Sequence, residues 1–180
     1  KNKSQSALNV SYNDLPSYVE TLSKAIDSSF PEYEALGIKK NGKYIQLNTN
    51  LLQIENEYYS FVRPKQIADS GEKPTLALKR RGVRYVEIRA LDVGAFDPTG
   101  VNEAQLRFLE AFLGFCLFQE DTPLSAREQE QIEVNQQGVA CCGRDPALVL
   151  TMGDEVKPVR EWVSTLCDAM RPFCELLDAP

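Results

Sequence analysis

A chain of 180 residues, 43% of them hydrophobic, is long enough to bury a real core, and its net charge of −6 argues against a nucleic acid or an anionic membrane as its main partner. The absence of histidine removes Ser-His-Asp and Cys-His nucleophile systems and any histidine-based zinc site. No apolar run reaches membrane-spanning length, because the best candidate, at residues 108–118, is short and interrupted.

The elements follow in chain order. Asn13 or Asp14 caps a helix with the apolar stripe Leu15, Val19, Leu22 and Ile26, Pro16 suits its first turn, and the helix is expected to end near Ser29, before Pro31. Asn41-Gly42 signals a hairpin turn leading into a strand over residues 43–47. Residues 51–62 read as a second extended segment, with Leu52, Ile54, Asn56 and Tyr58 on one face and Gln53, Glu55, Glu57 and Tyr59 on the other. Arg63-Pro64-Lys65 then holds two cations in a stiff turn. Residues 74–81 read as a short helix stopped by Gly82, with Lys79, Arg80, Arg81 and Arg84 as a solvated cationic end or an anion-facing patch.

Residues 85–92 form the most informative strand. Tyr85, Glu87, Arg89 and Leu91 share one face, and Val86, Ile88 and Ala90 share the other, which reads as ordinary core. Fixed charge in mid-strand is costly unless it meets a counter-ion, a partner chain or water. Two readings stay open: a solvated antiparallel face, or a metal-phosphate site in which the carboxylate ligates a hard cation and the guanidinium forks onto phosphate oxygens.

Beyond this strand, Asp97-Pro98-Thr99-Gly100 marks a turn, and residues 103–119 read as a helix apolar on most of its circumference and therefore largely buried. Ser125 and Glu128 form a capping box for another helix, residues 147–152 read as a short strand, and a final helix starts near Pro158. Its stripe is Val159, Trp162, Val163, Leu166 and Met170, and Pro172 is expected to kink or end it. Five cysteines, an odd number with no C-x-x-C pair, fit a reduced, cytoplasmic setting. Cys116, Cys167 and Cys174 stand among apolar residues and are expected in the core, and the adjacent Cys141 and Cys142 gain no support as a redox pair or a soft-metal site.

Several segments, in order, carry a family likeness: Asn2-Lys3-Ser4-Gln5-Ser6, Leu52-Gln53-Ile54-Glu55-Asn56-Glu57-x-Tyr59, Arg63-Pro64-Lys65, Ser70-Gly71-Glu72, Tyr85-Val86-Glu87-Ile88-Arg89-x-Leu91-Asp92 and Gln105-x-Arg107-Phe108-Leu109. Together they resemble the proteobacterial glutamate-cysteine ligases, also called γ-glutamylcysteine synthetases. The resemblance implies an α+β catalytic domain similar to glutamine synthetase and the guanido kinases, with an antiparallel sheet curved around ATP and helices packed on it. It implies ATP and Mg2+ as cofactors, glutamate and cysteine as substrates, and γ-glutamyl phosphate as the intermediate that the cysteine amine attacks in the first step of glutathione synthesis. Glu87 would then ligate magnesium at the nucleotide phosphates, Arg89 would contact the transferred phosphoryl group, and Tyr59 would line the cysteine pocket. Glu55, Glu57, Arg63 and Lys65 lie in the same motifs and would serve the nucleotide site.

The family's remaining metal carboxylates, a histidine and a substrate-gripping arginine have no counterpart here. The chain also opens at Lys1 without methionine or signal-peptide pattern. It is therefore read as one fragment of a larger catalytic domain, with residues 1–97 carrying the hairpin and site strands and residues 98–180 mainly helical. Its partner would be the remainder of the same enzyme, and its sheet is expected to expose an apolar face or an unpaired edge. A related carboxylate-amine ligase using another amine, and a non-catalytic acidic interaction domain, are the alternatives.

Overall fold

A computed structural model describes residues 8–179, so the Asn2 to Ser6 motif lies outside the described residues. The chain divides into two compact units, residues 1–92 and 93–180, each built from helices and small antiparallel strand pairs. The architecture is α+β.

The first unit is organised by α1, Leu15–Asp27. Asp14 caps it by accepting from the Ser17 amide at 2.6 Å, and this bond and the Ser17 hydroxyl hold the Asp14 carboxyl below its usual range. Tyr18, Leu22 and Ala25 are buried at the 4-then-3 spacing of one helical face, with Leu15, Val19 and Ile26 on its flank. The buried stripe is thus centred one residue away from the expected one. It packs with Leu8, Val10, Leu52, Tyr58 and Leu78.

A short helix α2, Pro31–Leu36, follows where only a break after Ser29 was expected. Pro31 starts it, since the fixed proline φ suits a first turn. Strands β1, Lys39–Lys40, and β2, Lys43–Tyr44, then pair around Asn41 and Gly42, whose φ values of 52° and 77° are those of a primed hairpin turn. The expected strand over residues 43–47 stops at Tyr44. Beyond it one further backbone bond forms, from the Ile45 amide to the Ile38 carbonyl at 3.0 Å, and side-chain amides then take over: Gln46 donates to the Tyr33 and Gly37 carbonyls at 2.7 and 2.8 Å, and Gln53 accepts from the Leu47 amide at 2.8 Å.

The segment 51–62 is not the expected strand. It folds into a 3₁₀ turn at Glu55–Glu57, and Leu52, Glu55 and Tyr58 are all buried. Glu55 and Tyr58 are one 3₁₀ turn apart, where side chains three apart eclipse, and Leu52 precedes the turn. Ile54, expected to share the apolar face, is exposed.

Strand β3, Val62–Lys65, pairs antiparallel with β4, Tyr85–Ile88, and α3, Pro74–Arg81, connects them. Gly82 ends α3 at φ 75°, where its amide closes on the Leu78 carbonyl at 2.9 Å. The strand expected to reach residue 92 stops at Ile88. Arg89 lies one residue beyond and still pairs, its amide donating to the Phe61 carbonyl at 2.7 Å. Of the face expected as core, Val86 is 46% exposed, Ala90 is exposed and Ile88 is half-buried, whereas Arg63 on the charged face is 3% exposed. Charge lies inward here because it is compensated, as described below.

In the second unit, α4 spans Glu103–Leu117 behind a reciprocal Asn102/Gln105 capping box, and α5 spans Ala126–Cys142 behind the Ser125/Glu128 box. Strands β5, Val149–Met152, and β6, Glu155–Pro158, form a hairpin turning at Gly153, φ 62°. β6 was not anticipated, because its sequence Glu-Val-Lys-Pro has a single apolar side chain that is not proline. Gln131 and Asn135, one turn apart on α5, clasp the β5 edge. Asn135 donates to the Thr151 carbonyl at 2.7 Å and accepts from its amide at 3.0 Å, and Gln131 does the same to Gly153 at 2.8 and 3.0 Å. The side chains complete the ladder an edge strand leaves open.

α6, Val159–Leu177, runs through Pro172 rather than ending there. Phe173 lies against Gly114 of α4, where a Cβ would come within 2.2 Å of its ring. Two expectations fail in this unit. Only Ala111 of α4 is buried, with Leu106, Phe108, Leu113 and Leu117 exposed, and Cys116 and Cys167 are exposed rather than core. Cys141 and Cys142 are exposed in the last turn of α5.

Candidate active site

The β3–β4 register brings the sequence candidates together. Arg63 stands opposite Glu87, and Lys65 opposite Tyr85, so all four share one face of the ribbon. The Glu87 carboxylate is flanked by cations. Its Oε1 accepts from Arg89 Nη2 at 3.2 Å, and Lys65 Nζ stands 3.6 Å from its Oε2. Oε2 is buried and has no hydrogen-bond partner. Burial pushes the Glu87 carboxyl up, but the Arg89 hydrogen bond and the charges of Lys65, Arg89 and Arg63 outweigh it and hold the group below its usual range. Glu87 is therefore ionised at neutral pH.

Arg63 lies deeper. Its Nε is also buried without a hydrogen-bond partner, and its charge acts on both Glu87 and the buried Tyr18 phenol. Burial, with the neighbouring Tyr12, pushes the Tyr18 phenol up to about 12, against the opposing pull of Arg63. Arg89 is partly exposed, and its guanidinium carbon lies 5.8 Å from the centre of the Tyr59 ring. Tyr59 meets Phe61 edge-on at 6.2 Å. Tyr59, Arg89, Glu87, Lys65 and Arg63 are thus one contiguous group.

Glu55 and Glu57 take other places. Glu55 is 6% exposed, and its two oxygens accept from the Thr75 amide at 2.7 Å and the Thr75 hydroxyl at 2.6 Å. It caps α3 from 20 residues upstream, with the negative charge that a helix N-terminus favours. Glu57 is exposed, and its Oε2 accepts from the Gln53 amide at 2.7 Å. A cleft of about 180 Å³ opens between these elements, lined by Tyr18, Glu55, Arg63, Lys65, Thr75 and Tyr85 among others. Thr75 and Tyr18 were not singled out in the sequence. A signal existed for Thr75: α3 starts at Lys73-Pro74, with no capping side chain of its own, so its free amides require a remote acceptor.

A buried carboxylate oxygen without a donor suits a hard divalent cation as one ligand. Among the described residues no group of three or more acidic, cysteine or histidine side chains forms a complete metal cage. Two members of the basic cluster are ion-paired to carboxylates: Arg81 binds Glu72 at 2.5 Å and stands 3.7 Å from Asp69, and Arg80 stands 3.7 Å from Glu72.

A carboxylate with guanidinium and ammonium groups on one face of an antiparallel ribbon is an arrangement whose cations can meet phosphate oxygens and whose carboxylate can meet a counter-ion. Comparison with known proteins gives the family. A family model described as glutamate-cysteine ligase matches residues 1–139, and the chain belongs to that family. It is 46% identical over 183 residues to the glutamate–cysteine ligase of Hahella chejuensis, covering 99% of this chain and 35% of the relative, and 44% identical over 178 residues to that of Pseudomonas paraeruginosa, covering 99% and 34%. It is also similar to the crystal structure of the Francisella tularensis glutamate–cysteine ligase in complex with AMP, at 39% identity and a TM-score of 0.89, over 93% of this chain and 34% of that one. The chain spans about a third of the length of the relatives it matches. Among the described residues no helix is long and apolar enough to cross a membrane.

Proposed function

We propose that this chain supplies part of the active site of an ATP-dependent, cytoplasmic ligase that joins the γ-carboxylate of glutamate to the amine of cysteine. The observation that carries the reading is Glu87, ionised and set between Arg89 and Lys65 with one oxygen left without a hydrogen bond. Arg89 presents a planar fork, the geometry suited to two oxygens of a phosphoryl group in transfer to the glutamate carboxylate. Lys65 adds a compact charge on the same face for the nucleotide phosphates, and Arg63 supports both from behind. Tyr59, whose ring centre lies 5.8 Å from the Arg89 guanidinium carbon, would wall the pocket from which the cysteine amine attacks γ-glutamyl phosphate. Magnesium bound at Glu87 would neutralise charge developing on the phosphoryl oxygens.

The ribbon would be two strands of a sheet like that of glutamine synthetase and the guanido kinases. Further strands and metal ligands would come from the rest of the polypeptide, which would also cover Val62, Val86 and the open faces of α4. Glu55 and Glu57 would shape the nucleotide site from outside direct contact, by holding α3 and the 3₁₀ turn. The test is Glu87→Gln in the complete enzyme, which is expected to fold and to lose magnesium-dependent turnover by at least about a hundredfold. Near-normal ATP-dependent formation of γ-glutamylcysteine by that variant would refute the assignment.

A further inference from the structure

The Glu87 site has an occupant already. Oε2 is shut off from water and makes no hydrogen bond, yet Lys65 Nζ stands 3.6 Å away, close enough for charge and too far for a hydrogen bond. Oε1 meanwhile is taken by Arg89. Lys65 reaches this place because it is the diagonal cross-strand neighbour of Glu87, facing Tyr85 in the register. The pair is shielded, with the side chains 23% and 31% exposed, so its charges are less screened than those of a surface pair.

Two consequences follow from elementary electrostatics. A divalent ion approaching Oε2 would meet the Lys65 ammonium 3.6 Å from that oxygen, and three cationic centres around one carboxylate would repel one another. We infer that Lys65 is a built-in competitor for the metal position: in the metal-free protein its ammonium stands in for the cation on Glu87, and it must withdraw before a divalent ion binds there. This rests on the ligase reading of Glu87 as a metal ligand. It makes Lys65 a positioning residue, its ammonium set 3.6 Å from the second carboxylate oxygen. It also means that an anionic ligand able to draw Lys65 away, such as a nucleotide phosphate, favours metal binding without touching the metal.

The experiment uses the complete enzyme without nucleotide and manganese as the probe, with free Mn2+ followed by its electron paramagnetic resonance signal. Lys65→Met is expected to tighten Mn2+ binding by about three- to tenfold, the range for losing one partly screened charge from such a site. Lys65→Arg, which keeps the charge, should stay near the parent value, and adding Glu87→Gln to Lys65→Met should abolish the gain. If Lys65→Met does not fold by circular dichroism, Lys65→Gln takes its place with the same expected gain. Unchanged or weaker Mn2+ binding on removing the lysine charge, with parent binding still dependent on Glu87, overturns the inference and leaves the ligase reading standing. Parent binding indifferent to Glu87→Gln overturns both the inference and the metal role. Peptide formation by the parent enzyme on the same preparation judges the ligase reading separately.

Discussion

Glu55 offers the sharpest test of how the site is held, because its role rests on two short contacts. The carboxylate accepts from the Thr75 amide at 2.7 Å and hydroxyl at 2.6 Å and is 6% exposed. Hydrogen bonds to a charged group contribute about 1.5–3 kcal/mol each, and the α3 N-terminus adds about 0.3–1 kcal/mol for a negative charge. Part of that sum offsets the cost of burying the carboxylate, so the net loss in Glu55→Ala is about 3 kcal/mol, at the low end for breaking a buried charged contact. Glu55→Gln keeps one acceptor for the amide and lets the Thr75 hydroxyl turn round as acceptor, so its cost is about 1 kcal/mol, one ordinary hydrogen bond. Hydrogen exchange of the α3 amides in the complete enzyme reads this directly. Ala77 and Gly82, bonded to the Lys73 and Leu78 carbonyls at 3.1 and 2.9 Å, should exchange about a hundredfold faster in Glu55→Ala and less than about tenfold faster in Glu55→Gln. The Michaelis constant for ATP should stay near normal in Glu55→Gln. Unaltered α3 exchange in Glu55→Ala together with a loss of ATP affinity would show that Glu55 faces ligand rather than helix.

Arg89→Lys should depress the rate of chemistry more than the apparent affinity for cysteine, since lysine keeps the charge but not the fork, and a change confined to the cysteine Michaelis constant would move Arg89 into the amine pocket. Tyr59→Ala should raise the Michaelis constant for cysteine and leave that for ATP nearly unchanged, whereas an ATP-selective defect would place the ring at the nucleotide. Asn135→Ala strips both backbone groups of Thr151 of their partners, and the Thr151 amide should exchange about tenfold faster or more, as the loss of one to two hydrogen bonds implies; unchanged exchange would mean the β5 edge holds itself.

Much of the fold was legible wherever local chemistry decides. Asp14, the Asn41-Gly42 turn, Gly82 and the Ser125/Glu128 box each fix a terminus or turn through bonds spanning a few residues, and all of them do so here. The segment 51–62 was misread because strict alternation suits a strand, and the sequence satisfies it. The competing period of three, Leu52, Glu55 and Tyr58, was present too, but it places a carboxylate between two apolar residues and so makes no apolar stripe. What tips the balance is Thr75, 20 residues away, whose amide and hydroxyl make burial of Glu55 affordable.

The candidate site shows the same division. That Glu87 and Arg89 share a face follows from strand periodicity alone, and they do hydrogen-bond. That Arg63 stands across from Glu87, and that Lys65 reaches its second oxygen, depends on register, which is set by long-range pairing around α3 and leaves no local mark. Burial was inverted for a related reason. Hydrophobicity assigns Val86, Ile88 and Ala90 to the interior, yet Val86 and Ala90 are exposed and Ile88 only half-buried, while Arg63 is 3% exposed. A guanidinium can occupy the interior when a carboxylate stands opposite and a phenol lies behind it, and the apolar face can stay open in a chain that spans a third of its relatives' length. Which face of a two-stranded ribbon turns inward is therefore decided by the partners of its charges, and those partners also define the chemistry that the ribbon presents.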